Sequence, residues 1–259
     1  MNLPRIWWCP TGILTFLPLH AAGREIAGER DETSNYVVSS YTPTANALLE
    51  ARAAKQQPFN QLVGIAMVNT PHLPSLPNAE SELTEIGKLF PADPRWRFEP
   101  LRNEQATRER VLTNMANCSW MHLACHAVQD VQEPARSGLC LYDKRLTITD
   151  IIHKPFTNAD FAFLSACETA SGDEKVSDEA VHITGAMLGA GYRSVIGTMW
   201  SIPDAAAPIV AAKVYENLFS GGEPDSERSA QALHEGLKEL RKSGQHSFYS
   251  WVPFVHYGR

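Results

Sequence analysis

Phe161 to Ala170 read FAFLSACETA. The stretch opens as an apolar run of strand length and closes on a cysteine among small residues, with an acid and a hydroxyl directly after it. Continuous apolar residues bounded by polar ones are the pattern of a strand buried on both faces. LVGIAMV (Leu62–Val68), SWMHLAC (Ser119–Cys125) and RSVIGTMW (Arg193–Trp200) repeat that signature, and RWRFEPL (Arg95–Leu101) is a shorter version. Helical patterns fall between them. AESELTEIGKLF places Leu83, Ile86, Leu89 and Phe90 on one stripe, and TRERVLTNM follows the short strand. EAVHITGAMLGAGY stops at Gly189 and Gly191, where left-handed backbone is cheap. SIPDAAAPIVAAKVYENLF is expected to start with Ser201 as cap and Pro203 in its first turn. SERSAQALHEGLKELRKSG carries its basic residues near the C-terminal end, matching the helix dipole. Buried strands alternating with helices imply an α/β protein whose mostly parallel sheet is covered on both faces.

Residues 1–57 read differently. RIWWCPTGILTFLPLH suggests two short strands around the turn PTG, and YVVSSY suggests another. They either form a smaller sheet or extend the main one over 58–259. Across the 259 residues, 44% are hydrophobic and 20% charged, the balance of an ordinary globular protein. A net charge of -6 without a basic run argues against a nucleic-acid or anionic-membrane surface. Pro4, Pro10 and Pro18 interrupt the N-terminal apolar residues, so a signal peptide is not expected, and no segment has the length of a membrane span. Five cysteines without a C-x-x-C pair fit a reducing cytoplasm rather than a disulfide framework.

The chemistry gathers where the strands end. Cys167 closes one apolar run and His126 follows another, each with a polar loop after it: TASGDEKVSDEA and AVQDVQEPARSG. Open parallel sheets place their sites at the carboxyl ends of strands, so neighbouring strands would bring this thiol and imidazole together. A thiol beside a base, with backbone N–H groups aimed at the developing oxyanion, is a nucleophilic site. Both residues also have a plain structural reading, as an inert core cysteine and a structural histidine. His122 and His126 in HLACH have the spacing of a zinc helix but lie in a strand, about 13 Å apart, so no metal is expected. Neither a nucleotide-binding glycine motif nor a serine-hydrolase elbow is present, and no cofactor is expected. Asp173, Glu174, Asp178 and Glu179 read as a solvated acidic loop beside the site.

The blocks HLACHAVQD, SGLCLYDKRLTITDI, FAFLSACETASGDE, GAGYRSVIGTMWSIPD and WVPFVHYG, in that order and spacing, resemble the CHAT domain, the caspase-like protease domain associated with tetratricopeptide repeats. The resemblance implies a caspase- and separase-type three-layer α/β/α sandwich with a mostly parallel central sheet, 1–57 its N-terminal portion and 58–259 its catalytic portion. It implies a cysteine peptidase with Cys167 as nucleophile and His126 as general base and acid. The N–H groups of Cys167 and Ala127 would form the oxyanion hole. It also implies a protein or peptide substrate, and control by a tetratricopeptide-repeat or other sensor region in a larger protein or complex. By analogy with caspase-like folds, Trp200, Ser201 and Asp204 are candidates for the substrate pocket. Asp204 has a second reading as a first-turn acid of the next helix. Relatives usually carry glycine after the histidine, where this chain has Ala127, whose Cβ restricts the backbone. That departure keeps a pseudoprotease binding module open beside the peptidase, and a different thiol hydrolase stands as a third reading.

Overall fold

Apolar runs become strands in the order expected, and the helices Pro77–Leu89, Arg108–Asn117, Glu179–Gly189, Ala207–Phe219 and Ser229–Lys242 bury apolar residues against the sheet they build. A computed structural model describes residues 3–26, 29–128, 130, 132–168, 179–242 and 247–259, the side chains of 26, 29, 166–168 and 179–182 excepted. The acidic loop residues Asp173, Glu174 and Asp178, and the side chain of Glu179, lie outside the described residues.

The chain begins with β1 (Arg5–Trp8), a hairpin of β2 (Gly23–Ile26) and β3 (Glu29–Glu32), then β4 (Val38–Tyr41) and α1 (Ala45–Ala53). Next come β5 (Gln61–Ala66), α2 (Pro77–Leu89), β6 (Arg97–Arg102), α3 (Arg108–Asn117) and β7 (Trp120–Val128). A short antiparallel excursion, β8 (Gly138–Cys140) and β9 (Arg145–Thr147), leads to α4 (Ile148–Ile152). The rest is β10 (Phe161–Glu168), α5 (Glu179–Gly189), β11 (Ser194–Thr198), α6 (Ala207–Phe219), α7 (Ser229–Lys242), α8 (Phe248–Trp251) and β12 (Phe254–Gly258).

The main sheet runs β1-β4-β12-β11-β10-β7-β5-β6, with β8 and β9 attached beyond the end of β5. Along that order every pairing is parallel except β11 with β12. Alternation along each strand sorts its side chains into two cores. Met121, Leu123, Cys125, Ala162 and Leu164 pack with Val111 and Met115 of α3, Ile151 of α4 and Met187 of α5. Trp120, Phe161, Phe163 and Ile196 pack on the other face with Ile86 of α2, Val210, Val214 and Tyr215 of α6 and Leu233 of α7. The result is a three-layer sandwich with a mostly parallel sheet.

At the amino ends of the central strands, Arg193 Nη1 donates to Asp160 Oδ1 at 2.9 Å and Trp120 Nε1 donates to Asp160 Oδ2 at 3.0 Å, all buried. At the far edge, β1 and β4 extend the main sheet, which resolves the alternative left open by the sequence. They are fastened to β12 by Trp7 Nε1 donating to the Gly258 carbonyl at 2.8 Å and by a 3.0 Å contact between His256 Nδ1 and Ser40 Oγ.

Two sequence expectations are corrected and one element was not foreseen. The second strand expected in RIWWCPTGILTFLPLH is instead a pair of 3-10 turns, Gly12–Phe16 and Leu19–Ala21. Gly12 turns the chain at φ 57°, and the residues flanked by Pro10 and Pro18 pair with no strand. The helix expected to begin at Ser201 begins at Ala207, with Pro208 rather than Pro203 in its first turn. Segment 201–203 is instead non-helical, consistent with the restriction that Pro203 places on Ile202. The hairpin of β2 and β3 had no signal, because GREI and ERDE lack apolar alternation.

Candidate active site

β10 and β7 are adjacent and parallel, and their register pairs Cys167 directly with His126 at the Cα level. Neighbouring strands lie about 4.8 Å apart, so the two residues occupy adjoining positions at the carboxyl edge of the sheet. Both fall inside their strands rather than just beyond them, since β7 runs to Val128 and β10 to Glu168. The side chain of Cys167 lies outside the described residues.

His126 is 3% exposed. Its Nε2 lies 2.8 Å from the carbonyl oxygen of Pro74. A carbonyl only accepts, so this nitrogen carries a proton, and in the neutral ring Nδ1 carries the lone pair. Nδ1 is buried and has no hydrogen-bond partner among the described residues. Pro74 belongs to the segment between β5 and α2, which folds back on itself. The Val68 carbonyl accepts from Leu76 N–H at 2.9 Å and from Ser75 Oγ at 3.1 Å, and His72 sits at φ 68°.

Ala127, the departure from the usual glycine, sits between Glu168 of β10 and Leu139 of β8. Its φ is negative and extended strand geometry suits it, so the backbone here does not need glycine. Its Cβ faces the apolar core on the other side of the sheet from His126, beside Leu139, Leu164 and Ile183. Backbone direction also alternates. Ala124 C=O accepts from Met67 N–H beyond β5, so odd-numbered residues of β7, Ala127 among them, direct their N–H groups toward β10.

Beneath the pair lies a buried polar cluster that the sequence reading missed. Glu82 of α2, 2% exposed, accepts a hydrogen bond from Ser165 Oγ at 2.9 Å and lies 3.1 Å from His122 Nε2. That second approach is not aligned as a hydrogen bond, and among the described residues neither His122 nitrogen has one. Tyr215 of α6 completes the cluster, its ring edge-on to His122 with centroids 5.6 Å apart. Burial, reinforced by the Glu82 charge, pushes the Tyr215 hydroxyl well above its usual pKa. One signal could have found Glu82: it falls on the buried stripe of α2 with Ala79, Leu83 and Ile86. Nothing in the sequence could have pointed to Pro74, because it contributes only a backbone carbonyl.

The pocket candidates separate. Trp200 is half-buried and packs against both cores, and Ser201 is exposed. Asp204 is engaged elsewhere: its Oδ2 accepts from Asn78 Nδ2 at 2.7 Å and from Asn78 N–H at 3.2 Å, in the first turn of α2. Three of the other thiols are poorly placed for attack. Burial pushes Cys118 up to about 12 and raises Cys140 as well, and Cys125 is buried on the opposite face of β7. Among the described residues no group of three His, Cys, Asp or Glu side chains could hold a metal ion, and no helix is long and apolar enough to cross a membrane.

Comparison with known proteins places this architecture. The CHAT domain family model matches residues 1–259. Tetratricopeptide repeat protein 28 of Mus musculus is 24% identical over 238 residues, and that of Homo sapiens 23% over 239. Each alignment covers 73% of this chain but 9% of the relative, so the chain spans a small part of those proteins. Among solved structures, the complex of Porphyromonas gingivalis RgpB pro- and mature domains superposes with a TM-score of 0.59 at 8% identity, covering 86% of this chain and 55% of that one. The Saccharomyces cerevisiae separase–securin complex gives 0.55 at 14% identity, covering 85% and 14%. At such identities the likeness is one of fold, and the fold is caspase-like.

Proposed function

The chain belongs to the CHAT domain family, and from that premise we propose that it is a cysteine endopeptidase with Cys167 as nucleophile and His126 as general base and acid. The observation that carries this reading is the state of the His126 ring. Its Nε2–H is committed to the Pro74 carbonyl, which leaves Nδ1 as the basic atom on the residue paired with Cys167. In the proposed cycle Nδ1 takes the Sγ proton and the thiolate attacks the scissile carbonyl carbon, moving an electron pair onto its oxygen. The N–H groups of Cys167 and Ala127 are assigned to receive that oxyanion. When the C–N bond breaks, the imidazolium gives its proton to the leaving amine. A water deprotonated by His126 then cleaves the thioester and releases the acid. Trp200 and Ser201 border the substrate on this reading. Control is assigned to an attached or partner repeat region, because the curated relatives are tetratricopeptide repeat proteins of which this chain spans 9%.

The test incubates the chain and its Cys167→Ala variant with proteome-derived peptides and compares the products by mass spectrometry. Cleavage confined to the wild type is expected, and it would be lost in His126→Gln as well. Identical patterns from all three proteins would overturn the peptidase reading. In that event the low exposure of His126 favours the second reading, a partner-binding module without turnover.

A further inference from the structure

The helix α2 begins without a cap of its own. The residue preceding it, Leu76, has no side-chain acceptor for the free N–H groups of the first turn. The acceptor comes from another element, Asp204 in the segment between β11 and α6, which takes both the backbone and side-chain N–H groups of Asn78. A carboxylate there also opposes the positive end of the helix dipole. Pro74 stands just upstream, in the stretch pinned to Val68 at one side and continuous with this first turn at the other. The position of that turn therefore sets where the Pro74 carbonyl points, and that carbonyl holds His126 Nε2–H.

We propose that Asp204 is a positioning residue: by capping α2 it aims the Pro74 carbonyl at His126 and so selects Nδ1 as the basic nitrogen. The inference rests on the assignment of His126 as the base. It reverses the expected role of Asp204, which acts on the imidazole through α2 and does not read the substrate. It also couples the two halves of the site. Trp200 and Ser201 share their segment with Asp204, so a peptide that shifts that segment alters the alignment of the base.

The experiment compares wild type with Asp204→Ala and Asp204→Asn by nitrogen-15 NMR of the histidine side chains, with His126 assigned from His126→Gln. Wild type is expected to show His126 as the Nε2–H tautomer. Asp204→Ala is expected to show a mixture of tautomers, with alkylation of Cys167 by iodoacetamide slowed about tenfold at neutral pH, the equivalent of one hydrogen bond. Asp204→Asn keeps an acceptor oxygen and is expected to restore the wild-type tautomer. Asn78→Ala, which retains the backbone N–H, gives an intermediate mixture and substitutes for Asp204→Ala should that variant not fold. A folded Asp204→Ala protein, or a folded Asn78→Ala protein in its place, with the wild-type His126 signals would overturn the proposal. The NMR readout needs no turnover. A chain that cleaves nothing yet shows the tautomer shift would sink the peptidase reading alone.

Discussion

Replacing Glu82 by alanine tests how the polar cluster beneath the site is held. The substitution removes a 2% exposed carboxylate, its hydrogen bond from Ser165 and its 3.1 Å approach to His122. A hydrogen bond to a charged group contributes about 1.5–3 kcal/mol, and each buried polar group left unpaired costs about 1–3 kcal/mol more. Lost methylenes add roughly 1 kcal/mol. Part of that cost is already present, because His122 lacks an aligned partner. The expected loss is about 3–5 kcal/mol, the range for breaking a buried charge arrangement from one side. Glu82→Gln keeps shape and an acceptor for Ser165, and is expected to cost about 1–2 kcal/mol. Glu85→Ala, on the exposed face of the same helix where Glu85 meets Lys88 at 2.6 Å, should cost under about 0.5 kcal/mol. Urea unfolding monitored by tryptophan fluorescence reads all three as shifts in midpoint at constant slope. If Glu82→Ala lost no more than Glu85→Ala, the reasoning about this cluster would be wrong.

Ala127→Gly should destabilise by about 0.5–1 kcal/mol and change peptide cleavage less than threefold, since the strand does not require glycine there; a large gain in activity would contradict this. Arg193→Met strands the buried Asp160 carboxylate and should cost about 3–5 kcal/mol by urea titration, whereas a neutral effect would mean that Trp120 alone satisfies it. Burial lowers the His20 pKa from 6.5 to about 4, and it pulls His256 down as well. The unfolded chain therefore binds protons between pH 6.5 and 4 that the folded protein refuses, and stability falls with pH through that window by about 3 kcal/mol for His20. A His20→Gln variant with the same pH slope as wild type would remove His20 from the account.

Strands β5, β7, β10 and β11 were legible because burial on both faces leaves no polar position to interrupt an apolar run. The N-terminal segment was less so: short strands and 3-10 turns broken by prolines share one local composition, and only pairing into the main sheet through β4 and β12 distinguishes them. The start of α6 was misplaced because two prolines offered the same first-turn signal, and packing of Ala207 and Val210 selected the second. At the candidate site, His126 and Cys167 could be named from residue type and strand position. Pro74 acts through its backbone, and Asp204 through a residue more than a hundred positions away, so neither role is written in local pattern.

The place of β12 bears on how a nascent chain acquires this architecture. It is the last described strand in sequence, yet it lies between β11 and β4. During synthesis β1 and β4 emerge well before β12 and must wait, with Trp7 and Tyr41 lacking their C-terminal partners, until Phe254–Gly258 leaves the ribosome. Strands β5, β7, β10 and β11 can associate earlier, but β4 joins them only once β12 is inserted. A prematurely terminated product would display two open strand edges, a ready target for chaperones and proteases.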